Sequence, residues 1–267
     1  MKREDLATLI SERLSNGVER FEEGNFKYWV IDNLLPNDLA TDIAQAFPSE
    51  GVLRAKDSLR EYKRIGIDFD SYDKLMEEIT YAFHDVRVVK KIEQITRFKG
   101  LEADSLLYAG GLSSMSKNSF LNPHLDNSHN NDGTKYRALN LLYYISEGWE
   151  ITNGGNLILY PNGLNGKGEV IPSRFNSLVL METNEFSYHG VSKVSIDRPR
   201  RCISNYYFSQ NSTSGSKYRY KTSFFAFPEQ SLLKKTLFSL DRYLRNKFSN
   251  SFKVITNYQS WHIRKDG

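Results

Sequence analysis

Apolar residues change their spacing near residue 106. Before that point they recur every three or four positions in four segments, which is the period of an amphipathic helix. These predicted helices span residues 5–18, 36–47, 72–84 and 86–98. Two stretches between them, 26–32 and 62–69, have the composition of strands. From residue 106 to residue 208 apolar and polar residues alternate between Gly–Gly and Asn–Gly turns, which indicates consecutive short β-strands.

Helical spacing returns towards the C-terminus, over residues 228–248. Five leucines share one side of this predicted helix: Leu232, Leu233, Leu237, Leu240 and Leu244. The basic residues of this helix and of the tail are Lys234, Lys235, Arg242, Arg245, Lys247, Lys253, Arg264 and Lys265. They keep a nucleic-acid partner open as an alternative. The leucine stripe favours instead an amphipathic helix whose charged outer side faces solvent.

The order of these elements predicts the fold class α+β, mainly β. Short strands at intervals of about ten residues, after a helical block, favour a sandwich or barrel with the N-terminal helices packed on one face. No repeat or low-complexity linker interrupts the chain, so residues 1–267 are predicted to form a single domain. We divide it into an N-terminal helical and strand support (1–105), a strand-rich core (106–209) and a C-terminal extension (210–267).

Composition narrows the class of protein. Aromatic residues make up 13% of the chain, which favours strands, and the 39% hydrophobic content is enough for one sizeable core. A net charge of +4 is too weakly basic to predict nucleic-acid binding. The single cysteine, Cys202, excludes an intramolecular disulfide and fits a reducing cytoplasm. Residues 1–5 lack the apolar run of a signal peptide and no segment reaches membrane-spanning length, so we expect a cytoplasmic protein without a membrane partner.

Candidate chemistry lies at the two ends of the strand-rich region. His124 and Asp126 are two positions apart, so their side chains point to the same side of a strand or strand end. His189 follows a strongly apolar strand and brings a second imidazole. Two imidazole nitrogens and one carboxylate oxygen, with other positions open, suit non-haem Fe(II) and its chemistry with dioxygen. The alternative is an exposed loop with Asp126 and Asn127 as turn residues; the conjunction with His189 and Arg200 favours the metal site.

Residues 106–209 resemble the 2-oxoglutarate/Fe(II) oxygenase superfamily, specifically its prolyl-4-hydroxylase-like group. The shared motifs stand in family order at residues 122–127 (Asn-Pro-His-Leu-Asp-Asn), 141–146, 154–157 and 188–189 and in the Arg-rich strand from residue 198. Residues 29–36 are similar to a common lead-in of this group, whereas the C-terminal extension shows hardly any similarity. The resemblance implies a double-stranded β-helix as the catalytic core, a barrel-like jelly roll (cupin-like) with the metal at its open end.

The resemblance also implies roles for individual residues. His124, Asp126 and His189 match the iron ligands. A basic residue on the final strand would bind the distal carboxylate of 2-oxoglutarate, and Arg200 and Arg201 are both candidates. Alternation places Arg200 on the side of the smaller residues, which suits a barrel interior, so we prefer Arg200 and keep Arg201 as the alternative. Arginine suits this task because its planar fork stays charged and binds a carboxylate through two hydrogen bonds.

Four further residues are weaker candidates. Tyr144 matches a position whose hydroxyl supports the same carboxylate, although packing in the core explains it nearly as well. Asn140 and Tyr108 are candidates for contact with the cosubstrate or substrate. His129 is a candidate for a substrate-facing loop.

The implied activity is that of a 2-oxoglutarate-dependent dioxygenase, with Fe(II), 2-oxoglutarate and O2 as cofactors and cosubstrates; ascorbate is left open as an addition. We expect hydroxylation of an unactivated C–H bond with release of succinate and CO2. Desaturation, cyclisation and epimerisation are alternatives. The carboxylate of Asp126 disfavours halogenation, because halogenating relatives carry a small residue there so that chloride can bind.

The expected substrate is a small molecule such as an amino acid, a sugar or a secondary metabolite. The reason is that the N-terminal helices and the C-terminal extension would form a lid over a discrete pocket. A peptidyl, prolyl-type hydroxylase is the first alternative, and a non-catalytic jelly-roll module that binds a ligand or senses iron or oxygen is the second. Nucleic-acid repair is the weakest alternative. The sequence leaves the oligomeric state open.

Overall fold

The structure is a computed structural model and describes residues 1–16, 18–24, 26–108 and 110–248. The helices of these residues are α1 (Arg3–Arg13), α2 (Asn37–Ala46), α3 (Lys74–Ala82), α4 (Val86–Thr96) and α5 (Leu232–Phe248). Their strands are β1 (Glu19–Glu23), β2 (Phe26–Ile31), β3 (Arg54–Asp57), β4 (Glu61–Gly66), β5 (Glu102–Ala103), β6 (Gly111–Met115), β7 (Phe120–Leu125), β8 (Tyr136–Tyr144), β9 (Leu157–Leu159), β10 (Glu169–Ile171), β11 (Ser177–Glu182), β12 (His189–Val191), β13 (Arg200–Ser209) and β14 (Ser223–Phe224). The chain is mainly β with a helical N-terminal block, as the spacing of apolar residues predicts.

The strands of the described residues pair antiparallel in one sheet that forms two layers. The large layer has the order β1, β2, β11, β8, β13, β6, and the small layer the order β7, β12, β9, β10. Strand β4 joins the layers, because it pairs with β6 on one side and with β7 on the other. Strands β3, β5 and β14 lie beside β4, β13 and β7. Strands that follow each other in sequence therefore often lie in different layers.

An apolar core fills the space between the two layers. Directly paired residues share a face, as Cys202 of β13 and Tyr144 of β8 do. The large layer contributes Tyr28, Tyr144, Val179, Met181 and Cys202 to this interior, and the small layer Leu157, Leu159 and Ile171. His189 is paired with Leu159, and His124 with His189. Both imidazoles therefore point into the interior.

The helices α1 to α4 cover the outer face of the large layer. Trp29 and Ile31 of β2 and alternate residues of β8 form one cluster with the apolar sides of these helices. Trp29 is fully buried there and meets the ring of Phe98 edge to face, with ring centroids 6.0 Å apart. This larger core confirms helices packed on one face of a β structure. The division at residues 105 and 209 stays a prediction.

Several boundaries differ from the sequence predictions. Helix α1 ends at Arg13 with Leu14 as its C-cap, so a helix extending to residue 18 is too long. Pro36 is the N-cap of α2 rather than part of it. The strands β1 and β3 were not predicted, because Glu-Arg-Phe-Glu-Glu and Arg-Ala-Lys-Asp carry mostly charged side chains at the sheet periphery. Such strands lack the apolar alternation that marks a half-buried strand.

The orientation of α5 contradicts the sequence prediction. Its five leucines are exposed by 43% to 81%, whereas Phe238 on the opposite side is fully buried. Phe238 packs with Phe224 and Ala226. On the same side the guanidinium of Arg60 donates to the carboxylate of Asp241, with Nε 3.0 Å from Oδ2. The tail residues Lys253, Arg264 and Lys265 lie outside the described residues.

Candidate metal and cosubstrate site

Two histidines and one aspartate meet where β7 and β12 pair. His124 and His189 are direct cross-strand partners, with ring centroids 4.2 Å apart. Asp126 follows the last residue of β7, with Oδ1 3.4 Å from Nε2 of His124 and Oδ2 3.7 Å from Nε2 of His189. One ligand atom from each residue lies within 4.8 Å of the others, and all three side chains are buried. The structure thus brings together the three residues that the sequence predicts as metal ligands.

Backbone carbonyls fix the tautomer of both imidazoles. Nδ1 of His124 lies 3.0 Å from the carbonyl oxygen of Asn122, and Nδ1 of His189 lies 2.9 Å from that of Ser187. A carbonyl can only accept, so Nδ1 carries the hydrogen in each ring. The Nε2 atom of each ring then faces Asp126. Such a carbonyl partner on the other ring nitrogen is what orients metal-binding histidines.

The electrostatics favour the metal-binding protonation states of His189 and Asp126. Burial, with His124 acting in the same direction, lowers the pKa of His189 to about 4. Burial on its own would raise the pKa of Asp126, but Arg137 and the two histidines hold it well below the ordinary value. At neutral pH His189 is therefore neutral and Asp126 is ionised. Two imidazoles and this carboxylate converge, a donor set that fits Fe(II).

Asp126 has one hydrogen-bond donor and one ion-pair partner on β8. Nδ2 of Asn140 donates to Oδ2 over 2.6 Å, and Nη1 of Arg137 lies 3.3 Å from the same oxygen. Arg137 is 2% exposed and lies over the ring of Tyr206, 4.2 Å from its centroid. The sequence marked Asn140 as a weak candidate and missed Arg137. The sequence signal that could have identified Arg137 is a basic residue among the mostly apolar residues of β8.

Arg200 and Tyr144 form a second polar cluster in the same interior. Arg200 is 4% exposed; its Nε donates to Oγ of Ser173 over 3.2 Å, and its guanidinium lies 4.6 Å from the ring centroid of Tyr144. The described residues pair no carboxylate with Arg200, and they offer the buried Tyr144 hydroxyl no hydrogen-bond partner. A buried cation beside an unused hydroxyl fits the carboxylate of 2-oxoglutarate.

Arg201 lies on the opposite face of β13. Its Nη1 donates to the carbonyl oxygen of Ala44 over 2.9 Å, and its guanidinium lies 5.4 Å from the ring centroid of Phe47. These contacts are with α2 and the residue after it, outside the interior. The two arginines therefore separate as strand alternation requires.

A strap of residues 218–226 covers the cluster from the small-layer side. Phe224 of β14 pairs with His124, and the two rings stack with centroids 5.1 Å apart and planes 19° apart. Upstream, the backbone N–H of Ser128 donates to the carbonyl oxygen of Tyr220, whose own N–H donates to Oγ of Ser128. Arg242 of α5 donates to the carbonyl oxygen of Phe224 over 3.0 Å. The C-terminal extension thus reaches one of the predicted metal ligands, which the sequence did not predict.

The remaining candidates take lesser places. His129 lies in the loop after Asp126, bonded to Oγ of Ser128 over 2.8 Å and packed on Tyr136. Tyr108 lies in a bend before β6 rather than in a strand. His84 lies beyond the end of α3 and bonds to Asn205, so it is an ordinary structural histidine.

Comparisons with known proteins agree with this geometry. The family model described as the 2OG-Fe(II) oxygenase superfamily matches residues 110–209. This stretch of the chain therefore has the sequence pattern of the superfamily. No curated protein sequence matches it significantly. The matched residues include His124, Asp126 and His189 and both arginines at the start of β13.

Solved structures of oxygenases share the fold. A prolyl hydroxylase from Trichoplax adhaerens, in complex with a hypoxia-inducible-factor peptide, gives a TM-score of 0.52 at 20% identity, over 78% of this chain and 91% of that one. A prolyl-4-hydroxylase from Pseudomonas putida gives 0.50 at 18% identity, over 76% and 98%. The epimerase SnoN from nogalamycin biosynthesis gives 0.53 at 12% identity, over 86% and 89%. The fold is the predicted double-stranded β-helix.

This oxygenase is therefore a 2-oxoglutarate-dependent dioxygenase that uses Fe(II), 2-oxoglutarate and O2. Its relatives by fold act on different kinds of substrate, so the fold does not determine the substrate class. Within residues 1–16, 18–24, 26–108 and 110–248, no helix has the length and apolarity needed to cross a membrane.

Proposed function

We propose that this oxygenase hydroxylates an unactivated C–H bond of a small molecule, with His124, Asp126 and His189 as the Fe(II) ligands. Arg200 and Tyr144 bind the distal carboxylate of 2-oxoglutarate. The observation that carries this proposal is the combination of two clusters in one interior. One cluster is a metal donor set, and the other is a buried arginine without an anion from the described residues.

The residues of the site each have a defined task. When bound, Fe(II) and 2-oxoglutarate supply the oxidation of a C–H bond by dioxygen, coupled to decarboxylation of 2-oxoglutarate to succinate and CO2. The carbonyls of Asn122 and Ser187 orient the two imidazoles. Arg200 and Tyr144 hold the cosubstrate by the end that does not react. Phe224 excludes water from the outer side of His124.

The strap supports a small-molecule substrate. Residues 218–226 lie along β7 and are anchored at both ends, by Ser128 near Tyr220 and by Arg242 near Phe224. A long peptide needs an open groove across the metal site, whereas an anchored strap leaves room for a compact substrate. The alternative of a peptide substrate is favoured by the fold relationship to the prolyl hydroxylases.

The first test is an anaerobic titration of the purified protein with Fe(II) and 2-oxoglutarate. We expect a saturable metal-to-ligand charge-transfer band in the visible range and its loss in His189→Ala. The control is His84→Ala, which removes a histidine that bonds to Asn205 away from the cluster and should keep the band. A band of full intensity in His189→Ala would refute the ligand assignment.

Substrate class is tested next, by succinate release in the presence of candidate compounds. Amino acids, sugars and secondary metabolites form one panel, and proline-containing peptides form the other. Small molecules should stimulate succinate release above the uncoupled rate. Stimulation by peptides alone would replace the proposal by a peptidyl hydroxylase.

A further inference from the structure

Among the described residues, β8 contacts the carboxylate of Asp126 through Oδ2. Oδ2 accepts from Asn140 over 2.6 Å, lies 3.3 Å from Nη1 of Arg137 and lies 3.7 Å from Nε2 of His189. Oδ1 lies 3.4 Å from Nε2 of His124. We propose that Asn140 is a positioning residue that retains Oδ2 of Asp126 and thereby presents Oδ1 alone to the metal, with Arg137 as its second support. The inference rests on the proposed role of Asp126 as a ligand.

The orientation of the Asn140 amide is itself fixed. Oγ1 of Thr183, the residue after β11, donates to Oδ1 of Asn140 over 3.3 Å. An ionised carboxylate only accepts hydrogen bonds, so the NH2 group of Asn140 faces Asp126 and its oxygen faces Thr183. The three residues are 9% exposed or less. They form a chain of hydrogen bonds from β11 across β8 to the metal-binding carboxylate.

Asn140 and Arg137 support Asp126 in different ways. The amide of Asn140 is neutral, so it fixes the direction of the carboxylate without repelling a cation nearby. Arg137 supplies a full positive charge and is held in place by the ring of Tyr206. It balances the buried carboxylate but opposes a metal ion through electrostatic repulsion. Orientation of the ligand is therefore chiefly the task of Asn140.

Loss of this support should have a defined effect on metal binding. Without the amide, Oδ2 is free to turn towards the metal. Asp126 then binds the metal through both carboxylate oxygens, or exchanges between binding through one and binding through both. Removing a partner that orients a metal ligand typically lowers metal affinity about 10- to 100-fold. We expect a fall of this size in Asn140→Leu and a fall of a few-fold in Thr183→Val, in which the amide stays but loses its anchor.

The test is an anaerobic titration of the metal-free protein with Co(II), monitored through its visible d–d absorption. Asn140→Leu should bind Co(II) about 10- to 100-fold more weakly and with weaker absorption per bound ion, because a second carboxylate oxygen raises the coordination number. The matched control is Asn205→Leu. Asn205 is equally buried, in the strand next to β8, but contacts His84 and the carbonyl of Thr80. It should keep both the affinity and the spectrum.

Two outcomes would overturn the inference. One is an affinity of Asn140→Leu within two-fold of the unaltered protein, with an unchanged spectrum; the other is an equal loss in Asn205→Leu. If Asn140→Leu does not fold, Thr183→Val decides, and unaltered binding there overturns the inference. Asp126→Ala tests the ligand role of Asp126 separately from the positioning role of Asn140. Undiminished Co(II) binding in this variant refutes the ligand assignment itself.

Discussion

Arg200 and Arg201 are adjacent residues with opposite surroundings. Arg200 is buried in the interior beside Tyr144, whereas Arg201 contacts α2 on the outside of β13. Residue alternation predicts this separation from the sequence alone, because the small residues Cys202 and Ser204 mark the inner face. The surroundings of Arg200, with an unused hydroxyl and without a carboxylate from the described residues, could come only from the structure.

This difference predicts opposite effects of two matched substitutions. Arg200→Ala removes the proposed charge-assisted contact to the cosubstrate, so the concentration of 2-oxoglutarate needed for half-saturation should rise about 10- to 100-fold. Iron binding should stay intact. Arg201→Ala should leave this concentration unchanged and lower only the stability. Steady-state succinate release at varied 2-oxoglutarate measures both, and a rise in Arg201→Ala alone would reverse the assignment.

At the scale of elements, sequence periodicity located the helices but did not determine which side of α5 packs on the protein. Five leucines outweigh one phenylalanine in any measure of amphipathicity, yet Phe238 is the residue that is buried. Its partners Phe224 and Ala226 belong to a strap that has only two residues in a strand. The spacing of apolar residues describes one helix without its neighbours. It therefore could not indicate that this strap forms a packing site for the ring of Phe238.

Phe238 should therefore control the docking of α5 and the strap. Phe238→Ala removes a fully buried ring, which costs about 3–5 kcal/mol where the site cannot collapse. We expect this loss locally, as faster hydrogen exchange in α5 and in residues 218–226. Leu240→Ala, on the same helix but 52% exposed, should leave the exchange unchanged. Equal acceleration in both variants would contradict the orientation of α5.

On the scale of the whole molecule, the helical layer meets the sheet through an apolar interface with a few polar contacts. One of them joins Nε2 of His84 to Oδ1 of Asn205 over 2.7 Å. Burial, with the charge of Arg3, lowers the pKa of His84 to about 4, although Asn205 acts in the opposite direction. Because the unfolded chain binds this proton at a higher pH, protonation favours unfolding.

The pH dependence of stability follows from this sign. The contribution of neutral His84 is constant above about pH 6.5 and should fall between pH 6.5 and pH 4, by at most about 1.4 kcal/mol per pH unit. His84→Gln keeps a hydrogen-bonding group but does not titrate. Urea unfolding at pH 7.5 and pH 5 should show a smaller loss of stability in His84→Gln than in the unaltered protein. An identical loss of stability in both proteins would show that His84 does not contribute to the pH dependence.

The candidate metal site was the part of the molecule most accessible from the sequence. His124 and Asp126 lie on one short motif, and their spacing and the position of His189 after a buried strand were enough to group them. Their supports were less accessible. Arg137 and Asn140 reach Asp126 from β8, and Thr183 reaches Asn140 from β11. Contacts of this kind depend on strand pairing between layers, which one sequence does not encode as a pattern.

The pairing of β2 with β11 has a consequence for biosynthesis. Trp29 and its partner Leu180 are separated in sequence by α2 to α4 and by the strands from β3 to β10. At about 5–20 residues per second, a ribosome makes β11 roughly 8–30 s after β2. Until then β2 lacks the strand that separates it from β8, and the helices that emerge early have no complete surface to cover. Folding therefore waits for late residues, and a chaperone that shields the edge of β2 during this interval would raise the yield of active enzyme.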